Sequence, residues 1–152
     1  MRRTTAAILG MAAVALGMLF GFSGTLPVRA QVTLVAKPME VLRAIALALD
    51  SSGSLLSVEG GQIRKLTPEG SLRIIAGTGR QGHRGDGGPA VDAGFEYADD
   101  VAVDAKGNIY IADNLGHRVR LITPDGKIQT FAGIGTPGYS GDAGPAAAAK
   151  LQ

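Results

Sequence analysis

The chain has 152 residues, 23 of them glycine and none cysteine, and 45% are hydrophobic. That length bounds the chain to one domain, and the missing thiols exclude both disulfide support and cysteine chemistry. Without Arg2, Arg3 and Arg29 of the leader, twelve basic residues face thirteen acidic ones, which excludes a nucleic-acid footprint.

Arg2 and Arg3 precede an almost unbroken apolar run, Ala6 to Phe22. Ser23–Pro27 breaks it, and Val28-Arg29-Ala30 suits a cut after Ala30. A basic start, an apolar middle and a small-residue exit predict a signal helix over residues 1–30, hence an exported chain, secreted or periplasmic. Such a chain touches a membrane only through an uncleaved leader. Gly10, Gly17 and Gly21 and the cleavage site argue against a permanent anchor. Residues 31–43 form a lead-in. Within it Val32–Ala36 resembles Ile128–Ala132 and is expected to be an orphan outer strand. Met39–Leu49, rich in Leu and Ala, has helical composition, but it runs into a repeat that demands a strand.

From position 44 the sequence repeats. Asp50–Gly53 matches Asp104–Gly107 at a shift of 54, and Arg64–Ala90 matches Arg120–Ala146 at a shift of 56, with 13 identities in 27 positions. Each copy offers four short apolar runs rich in Val, Ile and Leu. In the second copy these are Val101–Val103, Ile109–Ala112, Arg118–Ile122 and Ile128–Ala132, separated by turns of Gly, Asp, Asn and Pro. Runs of that length and composition are strands. Connections of about five residues join only antiparallel neighbours, so each copy is a four-stranded meander. The expected fold is all-β, with one unit over residues 44–97 and a second over 98–152. The two-residue change of register belongs in the turn after each second strand, where insertions are tolerated.

A glycine-rich link, Gly77–Asp99, follows the first meander, and its counterpart, Gly133–Ala149, follows the second. Its glycines suit positive φ in successive tight turns, with Asp86 and Asp142 expected to bond nearby amides. A phosphate-cradling loop would need a helix opening directly behind the glycines, and none is predicted. One carboxylate per link falls far short of the six to eight oxygens that calcium takes, so calcium is a remote cofactor and none is expected.

The passage VAVDAKGNIYIADNLGHRVRLITPDGKIQTFAG, followed by GDAGPA, resembles an NHL repeat with a long glycine-rich loop. The likeness covers most of Ala44–Leu151. It implies β-propeller blades, commonly six around an axis. Gly116 stands where the family usually has Asn, Ala98 where it has Pro, and Asp100 where it has Gly. In the first copy Ser57–Gln62 replaces the Ala-Asp to His-Arg passage. Two blades make an incomplete propeller, because they cannot close a ring and would leave strand faces and edges open. Either the chain is a truncated reading of a longer protein, or about three copies assemble into a six-bladed homotrimer.

In a propeller the turn between the second and third strands shares a face with the link between blades. The candidate ligand-face residues are therefore Asp113, Asn114, His117 and Arg118, with His83, Arg84 and Asp86 from the link. Asp99 and Asp100 precede a first strand and are candidates for the central channel. Arg118 and Arg120 alternate with Val119 and Leu121, and are expected to pair with acids of their own blade such as Asp113. Asp50 and Asp104 are expected to cap turns, and Tyr110 to pack between blades. No catalytic residue is assigned, since no nucleophile, base and acid can be aligned, and no metal site, since neither histidine has a second ligand at suitable spacing. The expected function is a binding scaffold for a protein, peptide or glycan. The alternative is a part of a metal-dependent, lyase-like propeller enzyme whose active site lies in other blades.

Overall fold

The computed structural model describes residues 44–152, so the leader, the Val32–Ala36 segment and the start of Met39–Leu49 lie outside the described residues. Eight strands form two antiparallel sheets. The first holds β1 (Ala46–Leu49), β2 (Leu55–Glu59), β3 (Gln62–Leu66) and β4 (Leu72–Ala76). The second holds β5 (Ala98–Val103), β6 (Ile109–Asp113), β7 (Arg118–Ile122) and β8 (Ile128–Ala132), again in sequence order. They are two blades of an incomplete β-propeller. The described end of Met39–Leu49 is strand, because Ala46–Leu49 pairs with Leu55–Val58.

The turns show why each strand stops where it does. Asp50 Oδ1 accepts the N–H groups of Ser52 and Ser54 at 2.9 and 3.0 Å, and Asp104 Oδ1 accepts those of Lys106 and Asn108 at 2.9 Å each. A carboxylate that gathers two amides closes a turn without strand geometry. Between β2 and β3 the turn is Gly60-Gly61, with φ of 56° and 73°. Two successive residues at positive φ make the tight hairpin that matches strand twist. Between β6 and β7 the turn is Asn114–His117, two residues longer, and His117 adopts a φ of 48°. This is the change of register in the repeat. β5 starts at Ala98, three residues before the expected Val101. A bulge at Asp99 lets Ala98 pair with Asp113 and Asp100 with Ala112.

The core lies between the blades. Val101, Ile111, Ile122 and Ile128 line the near face of the second blade, and Leu56, Val58 and Ile63 line the facing surface of the first. The first link closes the gap with Ala90, Ala93 and Phe95, all at most 1% exposed. A buried aromatic of that size contributes about 2–3 kcal/mol through apolar burial. The link also covers a sheet edge. The Gly87 N–H donates to the Ile128 carbonyl at 2.7 Å, the Ile128 N–H to Gly88 at 3.0 Å, and the Ala90 N–H to Gly126 at 2.8 Å. Pairing of this kind blunts the outer edge of β8. Gly77 starts the link at a φ of 85°, where an added Cβ would lie 2.2 Å from the Gly61 carbonyl oxygen. Only glycine allows that approach.

Candidate functional site

Where the first link crosses the ends of β7 and β8 the surface opens into a cleft of about 170 Å³. It is lined by His83, Arg84, Gly85, Asp86, Arg118, Arg120 and Thr130. Strand alternation explains the arginines. Arg118 and Arg120 are two residues apart on β7, and their face is the one turned toward the first blade and its link.

Arg120 is the floor. It is 1% exposed and lies over the Phe95 ring at 5.8 Å, a cation–π contact. Its Nη1 donates to the Gly94 carbonyl at 3.3 Å, and its Nη2 donates to the Arg84 carbonyl at 3.4 Å and to Asp86 Oδ1. A buried guanidinium needs this many acceptors, because desolvation without pairing is costly. Asp86 Oδ2 accepts the Thr130 hydroxyl at 2.7 Å and the Thr130 N–H at 3.1 Å. Desolvation works to raise the Asp86 pKa, but the Thr130 hydroxyl and the Arg120 charge outweigh it and hold the carboxyl below its ordinary value. Asp86 therefore bonds the neighbouring blade rather than nearby amides of its own turn. Arg120 correspondingly pairs with an acid of the preceding link, not with Asp113 of its own blade. The sequence offered one signal for this. Asp86 and the Arg120 type of residue each recur in both copies, as Asp142 and Arg64.

The rim of the cleft is cationic. Arg84 is exposed, and its Nη2 donates to Thr78 Oγ1 at 3.3 Å. Arg118 reaches the other way, donating from Nη2 to the Ile134 carbonyl at 3.1 Å. His83 Nδ1 lies 3.5 Å from Glu96 Oε1. Thus four of the expected residues, His83, Arg84, Asp86 and Arg118, share one site. Arg120, which the sequence suggested only as a partner for an acid of its own blade, and Thr130, which had not been singled out, line it with them.

Asp113, Asn114 and Asp99 form a separate staple between the end of the link and the β6–β7 turn. Asp113 is fully buried, and its Oδ1 accepts the Tyr97 N–H at 2.8 Å. The Asn114 N–H donates to the Tyr97 carbonyl at 2.9 Å, and Asn114 Nδ2 donates to Asp99 Oδ2 at 2.8 Å. Asp99 and Asn114 are thus engaged with each other, whereas Asp113 Oδ2 is buried without a hydrogen-bond partner. Asp100 accepts the Val101 N–H at 2.8 Å and lines a groove on the far face of the second blade, with Ala102, Tyr110, Ala112 and Val119. Tyr110 meets Phe131 edge-to-face there, with ring centroids 5.1 Å apart. His117 is half-buried, and it sits beside the second link, where an added Cβ on Gly133 would lie 2.3 Å from its carbonyl oxygen. Among the described residues no three His, Asp or Glu side chains converge as a metal site.

No family model matches this chain, and no curated protein does. Solved structures do. A structural-genomics protein of unknown function from Bacteroides thetaiotaomicron is 24% identical, with a TM-score of 0.61 over 70% of this chain and 27% of its own. A streptogramin B lyase gives 15% identity and a TM-score of 0.42, covering 57% of this chain and 25% of that one. The selenomethionine-substituted virginiamycin B lyase from Staphylococcus aureus gives 10% and 0.41, with the same coverage. The chain spans about a quarter of the length of these structures. The likeness to the first is one of fold.

Proposed function

We propose that this chain is part of an exported NHL-repeat propeller that acts as a binding scaffold, and that it offers the cleft beside the first link to an anionic group on a protein, peptide or glycan. One observation carries the reading. Asp86 is the one carboxylate in the cleft lining, and it is engaged by Arg120 and Thr130, which leaves the Arg84 and Arg118 guanidiniums at the rim with neutral oxygen partners only. Such groups favour a carboxylate or sulfate, because charge-assisted hydrogen bonds are about twice as strong as neutral ones. The polar staple of Asp113, Asn114 and Asp99 fixes the neighbouring turn, so the rim is held in place before any ligand arrives.

The test is a calorimetric titration of the chain with acidic peptides and uronate-containing oligosaccharides against their amidated or neutral counterparts. Acidic ligands should bind better by about tenfold, and the preference should shrink as salt rises. Arg84→Ala should remove most of it. Equal binding of acidic and neutral ligands, binding of neither, or an unaffected Arg84→Ala chain would each reject the reading. Export is tested separately, by finding the chain outside the cytoplasm with a new N-terminus after Ala30.

A further inference from the structure

The residues that join the first link to the second blade have counterparts in the other copy, and the comparison separates framework from rim. A shift of 56 matches Asp86 with Asp142 and Arg120 with Arg64, so this acid and this arginine belong to the repeat. The same shift sets Tyr139 against His83, Ser140 against Arg84, Gln62 against Arg118 and Ile74 against Thr130. The backbone is indifferent to these four changes. Gly133 N–H donates to Ala146 at 3.0 Å as Gly77 N–H does to Ala90 at 2.9 Å, and Arg64 pairs with Ile74 as Arg120 pairs with Thr130. Folding of the repeat thus accounts for the shared pair and not for His83, Arg84, Arg118 and Thr130, all of which line the cleft.

These four leave a particular set of polar valences unused. A guanidinium carries five N–H groups. Among the described residues Arg84 spends one on Thr78 Oγ1 at 3.3 Å, and Arg118 spends one on the Ile134 carbonyl at 3.1 Å. Thr130 keeps them available. Its hydroxyl and N–H both donate to Asp86 Oδ2, at 2.7 and 3.1 Å, while Arg120 takes Oδ1, so the acid is held on the floor and not across the rim. An isoleucine in its place would supply the N–H alone. A carboxylate has about four acceptor positions. These bonds fill three of them, and with the Asp86 side chain 49% exposed the last is open to an O–H donor. His83 turns Nδ1 to Glu96 Oε1 at 3.5 Å, which leaves Nε2 as a second hydroxyl site.

Two guanidiniums beside a carboxylate and an imidazole nitrogen fit a ligand that joins one negative charge to several hydroxyl groups. Among the described residues no aliphatic side chain and no phenyl or indole ring lines the cleft. It therefore lacks the apolar pocket through which a peptide side chain is anchored. At about 170 Å³ it is smaller than the roughly 300 Å³ of pockets that enclose a whole drug-sized ligand, so it admits one unit of a longer chain.

We infer that the cleft takes a single acidic sugar unit of a glycan, with its carboxylate or sulfate between Arg84 and Arg118 and its ring hydroxyls on Asp86 and His83. This rests on the reading of the cleft as an anion site, and narrows protein, peptide or glycan to glycan.

The test is a calorimetric titration of the full chain, at one ionic strength, with a uronate trisaccharide, its carboxyl-reduced neutral form, a sulfated neutral trisaccharide and a glutamate-rich peptide. At least one of the acidic sugars should bind about tenfold tighter than both the reduced sugar and the peptide, and the stronger of the two names the source of the charge. Arg84→Ser and Arg118→Gln, each installing the residue of the other copy, should each lower that affinity about tenfold while the melting curve stays near wild type. Arg80→Ala removes another exposed arginine of the same link, one outside the cleft lining, and should change the affinity less than about twofold. A peptide that binds as tightly as the better acidic sugar overturns the inference and leaves the anion reading standing. Binding of no acidic probe rejects both. Sugar binding that survives Arg84→Ser and Arg118→Gln, or that falls as far with Arg80→Ala, also overturns the inference.

Discussion

The first link and the second link have the same backbone, but among the described residues only the first lies against a following blade. Around the first, Phe95 is 1% exposed, Arg120 is 1% exposed and Val101 is 6% exposed. Their counterparts by repeat are Leu151, half-buried, Arg64, whose side chain is 26% exposed, and Leu47, 38% exposed. The difference separates two contributions that are usually confounded. Glycines at positive φ and local amide bonds suffice to shape the loop, whether or not it is covered. Burial of the aromatic, the guanidinium and the strand edge comes only from the neighbouring blade, and that is where stability resides.

Phe95→Ala against Leu151→Ala is the widest test of that separation. Emptying the Phe95 site should cost about 3–4 kcal/mol, because it opens a cavity in the core and strips the ring from beneath Arg120. That corresponds to a fall in melting temperature on the order of 15 °C by circular dichroism. Leu151→Ala should cost less than about 1 kcal/mol. Equal losses would mean that the second link is as firmly held as the first.

The charged pair gives a smaller contrast of the same kind. Asp86→Asn leaves Arg120 buried without its counter-charge. About half of the Asp86 side chain is exposed, so solvent screens part of the loss, and about 2 kcal/mol is expected in place of the larger figure for a fully buried pair. Asp142→Asn should stay within about 0.5 kcal/mol. The pH dependence has a fixed sign. The folded Asp86 pKa lies below its unfolded value near 3.9, so its contribution is complete above that value and is lost as pH falls through the lower, folded one. The gap between wild type and Asp86→Asn in urea unfolding should therefore be constant from pH 7 to about 5 and close toward pH 2. A gap that widens on acidification would assign the stabilisation to another group.

These contrasts also mark what was legible in the sequence. The strands were readable because β-branched runs between Gly, Asp and Pro turns fit no other element. The 54-to-56 shift placed the extra residues in the β6–β7 turn, which the structure puts at Asn114–His117. The cleft was half readable. His83, Arg84, Asp86 and Arg118 belong to segments that topology places on one face, but Thr130 carries no chemical signature, and its role appears only when another blade brings Asp86 to it. Arg120 was visible as a repeated arginine and still misassigned, because strand alternation gives the face of a side chain and not its partner. A link of more than twenty residues can carry its acid across to the next blade, where a local pairing rule does not look.

The finest comparison is between the two hairpin turns. Gly116 is buried, and an added Cβ would lie 2.5 Å from Asp113 Oδ2, the oxygen of a carboxylate that is itself held by the Tyr97 N–H. Gly116→Ala should cost about 1–2 kcal/mol, as crowding in a packed site does. This gives a physical reason for glycine where the resembling family usually has Asn, since here the carboxylate fills the space a side chain would take. Gly60, in the shorter turn of the first blade, has nothing within 4 Å of its added Cβ and a φ of 56°. Gly60→Asn would create the Asn-Gly pair that two-residue hairpins favour, and it restricts the unfolded chain more than glycine does. It should stabilise by about 0.5 kcal/mol. Opposite signs in the same denaturation assay would show that a turn glycine can be required by space in one blade and by nothing more than φ in the other, which a shared repeat alone does not distinguish.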